Sequence, residues 1–188
     1  RVTPKFHTID SGLDAALAVT GSPVVIADVS DNPGGGAPGD STFILQRMLE
    51  RGITNAAVGC IYDPIAVALA FEAGVGAHFE LRLGGKMGRM SGQALDLMVT
   101  VTALKPQAIQ HFGTAPNEMI MPLGDSVAVH TAGIDIVLYS NRTQTFSPEV
   151  FTNVGIDPAS RRILVVKSTQ HFYARFAPIA SQVIYVSA

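Results

Sequence analysis

Between an apolar run ending at Val29 and an amphipathic stretch beginning at Ser41 lies the segment Asp31-Asn32-Pro33-Gly34-Gly35-Gly36-Ala37-Pro38-Gly39-Asp40. Three consecutive glycines raise the entropy cost of folding. They are expected where the chain needs positive φ or where another molecule approaches the backbone. Asp31, Asn32, Asp40, Ser41 and Thr42 place polar side chains around Gly34, Gly35 and Gly36. Free N–H groups at the start of the following helix, aided by its dipole, suit an anion. The segment is neither a GxxxxGK loop nor a GxGxxG loop: it lacks a lysine, and Asp40 would repel a phosphate. The competing reading is a tight connection in which Asp40 or Ser41 caps the helix and nothing binds.

A second cluster is Lys167-Ser168-Thr169-Gln170-His171. It follows an apolar run and opens a helical stretch, as the glycine loop does. If the two preceding strands are parallel neighbours, Lys167 and His171 come near the glycines. Lys167 would then offer a cation, and His171 a proton or an oriented donor. The plainer alternative is a Ser/Thr cap with a histidine satisfied by backbone.

Other chemistries find less support. His7, His78, His111, His130 and His171 show no HxxH, HExxH or HxH spacing, and Cys60 is the lone cysteine, so no self-contained zinc site is expected. Asp28, Asp31, Asp40, Asp63 and Glu72 form no close acid pair. Asp28 interrupts VVIADV and either orients a loop amide or faces solvent at a strand end. No GxSxG elbow marks a nucleophilic serine. Cys60 sits in AAVGCIY and reads as a small buried apolar residue.

The elements that must hold these residues follow from periodicity. Arg1–Asp10 reads as irregular. Ser11–Thr20 reads as a helix capped by Ser11. Val24–Val29 is a continuous β-branched run, the mark of a central strand buried on both faces. Ser41–Arg51 reads as a helix, Asn55–Tyr62 as a second buried strand, and Ile65–Ala73 as a helix started by Asp63-Pro64. Strand, helix, strand, helix at this spacing is a βαβ pattern. His78–Leu83, Leu95–Leu104, Asp125–His130 and Ile134–Ser140 read as antiparallel strands, the last two joined by a turn at Thr131-Ala132-Gly133. Lys86–Gly92 reads as a mobile loop. The end returns to α/β: a helix from Ser147 to Val154, a strand Arg162–Lys167, a helix His171–Ala177 and a strand Gln182–Val186. The expected fold class is therefore α/β: a mixed, largely parallel sheet with helices on both faces and an antiparallel excursion around 78–141.

The 188 residues suit one domain spanning 1–188. With 47% hydrophobic and 15% charged residues the chain can bury a sizeable core, and a net charge of −2 gives no field for a nucleic-acid backbone. No apolar run approaches the ~20 residues of a membrane helix. The N-terminus lacks signal-peptide design. One cysteine fits a reducing, cytoplasmic setting. A start without methionine suggests a piece of a longer protein.

DNPGGGAPGDST (Asp31–Thr42), GCIYDPIAV (Gly59–Val67) and VVKSTQHF (Val165–Phe172) resemble the C-terminal domain of the MlrC family, named for a protein of bacterial microcystin degradation. The resemblance covers nearly the whole chain. It implies a preceding metallopeptidase-like N-terminal domain, absent here, that binds zinc through its own acidic residues and histidines, so this chain is expected to hold no metal or other cofactor. It implies hydrolysis of peptide or amide bonds in small, unusual peptides, with the isolated chain inactive. Asp31, Asn32, Gly34, Gly35, Gly36, Asp40, Ser41, Thr42, Lys167, Gln170 and His171 would then face an interdomain cleft and contact a small peptide-like substrate. The alternatives are a structural or oligomerisation domain, including a homo-oligomer, and a small-anion-binding module.

Overall fold

Successive side chains of each strand point to opposite faces of a single sheet, and along the apolar runs both sets are buried. In the computed structural model, which describes residues 5–113 and 115–188, the strands are β1 (Phe6–His7), β2 (Val24–Asp28), β3 (Ala56–Tyr62), β4 (His78–Leu83), β5 (Leu95–Phe112), β6 (Met119–Thr131), β7 (Ile134–Tyr139), β8 (Ile163–Val166) and β9 (Gln182–Val186). Among the described residues they form a nine-stranded sheet in the order β1-β9-β2-β8-β3-β7-β6-β5-β4. From β1 to β7 neighbours run parallel; β7, β6, β5 and β4 pair antiparallel. The fold is the mixed α/β sheet expected, with its antiparallel part where the alternating strands predicted it.

The helices are α1 (Ile9–Ala18), α2 (Phe43–Glu50), α3 (Pro64–Ala73), α4 (Glu149–Thr152) and α5 (Tyr173–Phe176). Leu13, Ala16, Ile44, Leu45, Met48, Ala66 and Val67, from the first three, pack against Val24, Ile26 and Val58 on one face. Val150, Phe151 and Phe176, from the last two, pack against Val25, Ala27, Ala57 and Cys60 on the other. Both faces of β2 and β3 are thus covered, which is why Val24–Ala27 and Ala56–Ile61 carry no polar side chain. Phe151 is fully buried, and an atom placed at the Cβ position of Gly59 would lie 2.8 Å from its ring.

Several boundaries differ from the sequence reading. Residues 1–4 lie outside the described residues, but Phe6–His7 is a strand and Ile9 already begins α1, so the first ten residues are not all irregular. The cap of α1 is Thr8, whose hydroxyl accepts from Ser11 N–H, rather than Ser11 itself. Asp63 does cap α3, accepting from Ala66 N–H at 3.0 Å with Pro64 following it. The long hairpin of β5 and β6 exceeds expectation at its turn end, where β5 runs on to Phe112 and β6 starts at Met119. Its register shifts near Gln107, which has φ of 48°, so the outer half bends away and lays Ala108 and Leu123 on the α4–α5 face. The outer edge of β5 is covered by α4: Glu149 accepts from His111 N–H at 2.6 Å, and Asn153 donates to Ile109 C=O at 2.6 Å.

Candidate functional site

The carboxyl end of β2 delivers Asp28 and the carboxyl end of β8 delivers Lys167, because Ala27 pairs with Val166 in the parallel register. The Lys167 ammonium lies 2.8 Å from Asp31 Oδ2 and 3.2 Å from Asp28 Oδ2, and donates to Ser41 C=O at 2.8 Å. Asp31 also accepts Gly39 N–H on Oδ1 and Ser41 N–H on Oδ2, both at 2.7 Å. All three charged side chains are buried, so each requires the others. Burial opposes the ammonium, but Asp28 and Asp31 outweigh it and hold the Lys167 pKa above its ordinary value. Burial pushes the Asp28 carboxyl up; Lys167 only partly offsets this, and Asp31 adds to it. Two carboxylates sharing one cation account for both directions.

This geometry redirects two expectations. Lys167 is near the glycine loop, as the parallel pairing required, but its protons are taken inside the protein and none is offered outward. The glycine amides are likewise occupied. Gly34 N–H donates to Asn32 Oδ1 at 3.0 Å, Gly35 N–H to Asn32 C=O at 2.9 Å, and Gly36 N–H to Pro33 C=O at 3.1 Å, which makes Pro33–Gly35 a single 3₁₀ turn. Gly34, Gly35 and Gly36 are nonetheless exposed, so the turn presents its Cα faces to its surroundings.

The two sequence clusters meet through Gln144, which follows the carboxyl end of β7. Ser168 Oγ donates to Gln144 Oε1 at 3.1 Å, and Gln144 Nε2 lies 3.2 Å from His171 Nδ1. With Oε1 accepting, the amide nitrogen donates to Nδ1 and leaves the His171 proton on Nε2. A Cβ on Gly34 would lie 2.1 Å from Gln144 Nε2, so only glycine lets this amide lie against the turn. Asn32 Nδ2 donates to Thr169 Oγ1 at 2.8 Å, closing a second link. The arm formed by β5 and β6 brings Phe112 to within 5.0 Å of the exposed His171 ring and 4.6 Å of Phe146. Gln110 on the same arm donates to Gln144 C=O and accepts from Phe146 N–H, both at 2.8 Å. Gln170 is exposed beside this group.

Comparison with known proteins decides the family. The model described as MlrC C-terminus matches residues 26–188. The chain belongs to this family. It is 41% identical over 177 residues to Microcystinase C of Sphingomonas sp, covering 94% of this chain and 34% of that protein. It is also similar to a crystal structure from Mesorhizobium sp. BNC1 described as "Putative metallopeptidase", with a TM-score of 0.85 and 26% identity over 98% of this chain and 37% of that one. The chain therefore spans about one third of the length of these relatives.

Of the remaining expected residues of this MlrC C-terminus domain, Asp40 and Thr42 bond the segment after β4, whereas Ser41 bonds Asp31 and Lys167 through its main chain. Asp40 Oδ2 accepts from Lys86 N–H at 2.7 Å and Met87 N–H at 2.9 Å. Thr42 Oγ1 donates to Gln93 C=O at 2.7 Å. Asp63 accepts from Gly84 N–H at 2.9 Å and from Lys86 Nζ at 2.7 Å. These bonds hold the segment read as a mobile loop, and Arg89–Ser91 within it is a 3₁₀ turn. A cavity of about 100 Å³ lies there, lined by Tyr62, Ile65 and Met87. Asp40 Oδ1, Ser41 Oγ and Ser91 Oγ are buried without hydrogen-bond partners among the described residues.

The residues present do not fit a zinc ion. The buried carboxylates Asp28 and Asp31 share the Lys167 ammonium, which already occupies the cation position between them. Among the described residues no group of three or more His, Cys, Asp or Glu gathers to hold a metal, and no helix is long and apolar enough to cross a membrane. Sequence reasoning missed Gln144, Arg142, Phe112 and the pairing role of Asp28. The first three stand in no motif, and only the strand order brings them to the turn.

Proposed function

We propose that this chain is the substrate-contacting C-terminal domain of a metal-dependent hydrolase acting on peptide or amide bonds. In this reading the zinc and the hydrolytic step belong to a preceding metallopeptidase-like domain, and this chain alone is inactive. Its own contribution is the exposed edge made by Gly34–Gly36, Gln170 and His171, backed by the buried Gln144 and facing the cleft between the domains. The buried Asp28–Asp31–Lys167 cluster positions that edge and does not touch substrate. A reducing, cytoplasmic setting accords with the single buried Cys60.

The observation that carries the reading is the convergence of Gly34, Gln144, Ser168 and His171 at the carboxyl ends of parallel strands, where open α/β sheets bind ligands. In the full-length protein, His171→Ala is expected to lower turnover while folding and metal content stay unchanged. Unaltered turnover would end the reading.

A second reading is a docking or oligomerisation domain. It is favoured by the exposed Ile65 and Leu69 on α3 with Met87 and Met90 beside them. It predicts that Ile65→Asp changes assembly and that His171→Ala changes nothing.

A further inference from the structure

With Lys167 buried and the glycine amides occupied, positive charge at the turn comes from elsewhere. Arg142, exposed after β7, donates from Nη1 to Ala37 C=O, and its Nη1 lies 3.5 Å from Pro33 C=O. These two carbonyls bracket the turn and fix the root of the guanidinium. Nε and Nη2 of Arg142 have no acceptor among the described residues, whereas Arg47, Arg51, Arg82, Arg161 and Arg175 each pair with a carboxylate. The acids nearest in the turn are turned away: Asp31 is paired with Lys167, and Asp40 accepts from Lys86 and Met87. On the other flank of the same turn, the Gln144 amide that lies against Gly34 directs the His171 Nε2–H outward.

We propose that Arg142 and His171 form a two-point clamp for a carboxylate, closing across the exposed face of the Pro33–Ala37 turn. The planar guanidinium fork matches a carboxylate and is already held by its Nη1, so little side-chain freedom remains to be lost. His171 contributes an N–H donor, and the half-buried Phe112, backed by the buried Phe146, supplies an apolar surface beside it. The ligand is an acid with an apolar or aromatic group next to the carboxylate. That this acid is a peptide rests on the proposed function; the carboxylate clamp itself does not.

The test is calorimetric titration of the full chain with N-acetylphenylalanine, with N-acetylphenylalaninamide and with inorganic phosphate. The acid should bind on the order of tenfold more tightly than the amide, and Arg142→Gln should remove that difference. Arg142 is exposed, so the variant should fold, and circular dichroism checks this. Equal binding of acid and amide, or a preference surviving in Arg142→Gln, overturns the clamp. Phosphate binding as tightly as the acid overturns its carboxylate selectivity. If turnover falls in His171→Ala while acid and amide bind alike, the proposed function stands and the clamp fails; the reverse pattern keeps the clamp and removes the function.

Discussion

Lys167 Nζ lies 2.8 Å from Asp31 Oδ2 with both side chains 2% exposed, so a full charge pair sits beneath an exposed glycine turn. Asp31 bonds the amides on either side of Asp40, and Lys167 bonds Ser41 C=O, so the pair sets the turn's path. Lys167→Met would leave Asp28 and Asp31 buried without a cation. It is expected to destabilise by about 3–5 kcal/mol in urea unfolding, with Asp28→Asn in the same chain recovering part of the loss.

The pH dependence of this cluster has a definite sign. Lys167 has a raised folded pKa, so its stabilisation is complete below the ordinary lysine value of 10.5 and is lost as pH climbs through the folded value. Asp28 is raised above 3.8, so its contribution is most favourable in acid and is lost as pH rises through its folded value. Wild type should therefore show a steep alkaline unfolding limb that Lys167→Met lacks. Unfolding curves across the alkaline range check it; parallel limbs would contradict it.

Gly34 and Gly35 should respond differently to the same methyl group. In Gly34→Ala the new Cβ meets Gln144 Nε2 at 2.1 Å, whereas at Gly35 the nearest atom, Asn32 Nδ2, is 3.8 Å away. Gln144 must move and release His171, at about 1–2 kcal/mol of lost hydrogen bonding. The His171 signals in NMR should shift in Gly34→Ala and stay in place in Gly35→Ala.

Asp40 ties down the segment after β4 through Lys86 N–H and Met87 N–H. Asp40→Ala removes both acceptors and should speed trypsin cleavage after Lys86 and Arg89. Unchanged cleavage would mean that Asp63 and Lys86 hold the segment by themselves.

Cys60, on β3, is buried on the face covered by α4 and α5, and burial pushes its thiol pKa far up. A thiol reagent should label it only after unfolding, at the global unfolding rate. Rapid labelling of the native protein would show that β3 opens locally.

How much was legible depended on whether a signal was local. VVIAD and ILVV show their double burial in composition alone, and Asp63-Pro64 carries its own cap. The outer halves of β5 and β6 did not show, because Lys105, Pro106, Pro122 and Gly124 are residues that strands usually exclude, and the bend near Gln107 accommodates them. The glycine turn and Lys167–His171 were visible as segments. Their internal bonding was not: an amide's partner and a lysine's direction are tertiary facts. Arg142 and Gln144 lie in a connection whose sequence has no pattern, and their place is set by β7 lying next to β3.

The position of β2 has a consequence for synthesis. This strand is flanked by β8 and β9, both of which are made long after it. Until residues 182–186 have left the ribosome, one edge of a fully buried strand, apolar from Val24 to Ala27, has no permanent neighbour. Nascent chains stalled before that point should therefore depend on chaperones, and the turn with its histidine shelf takes shape only after the segments carrying β8 and β9 have been made.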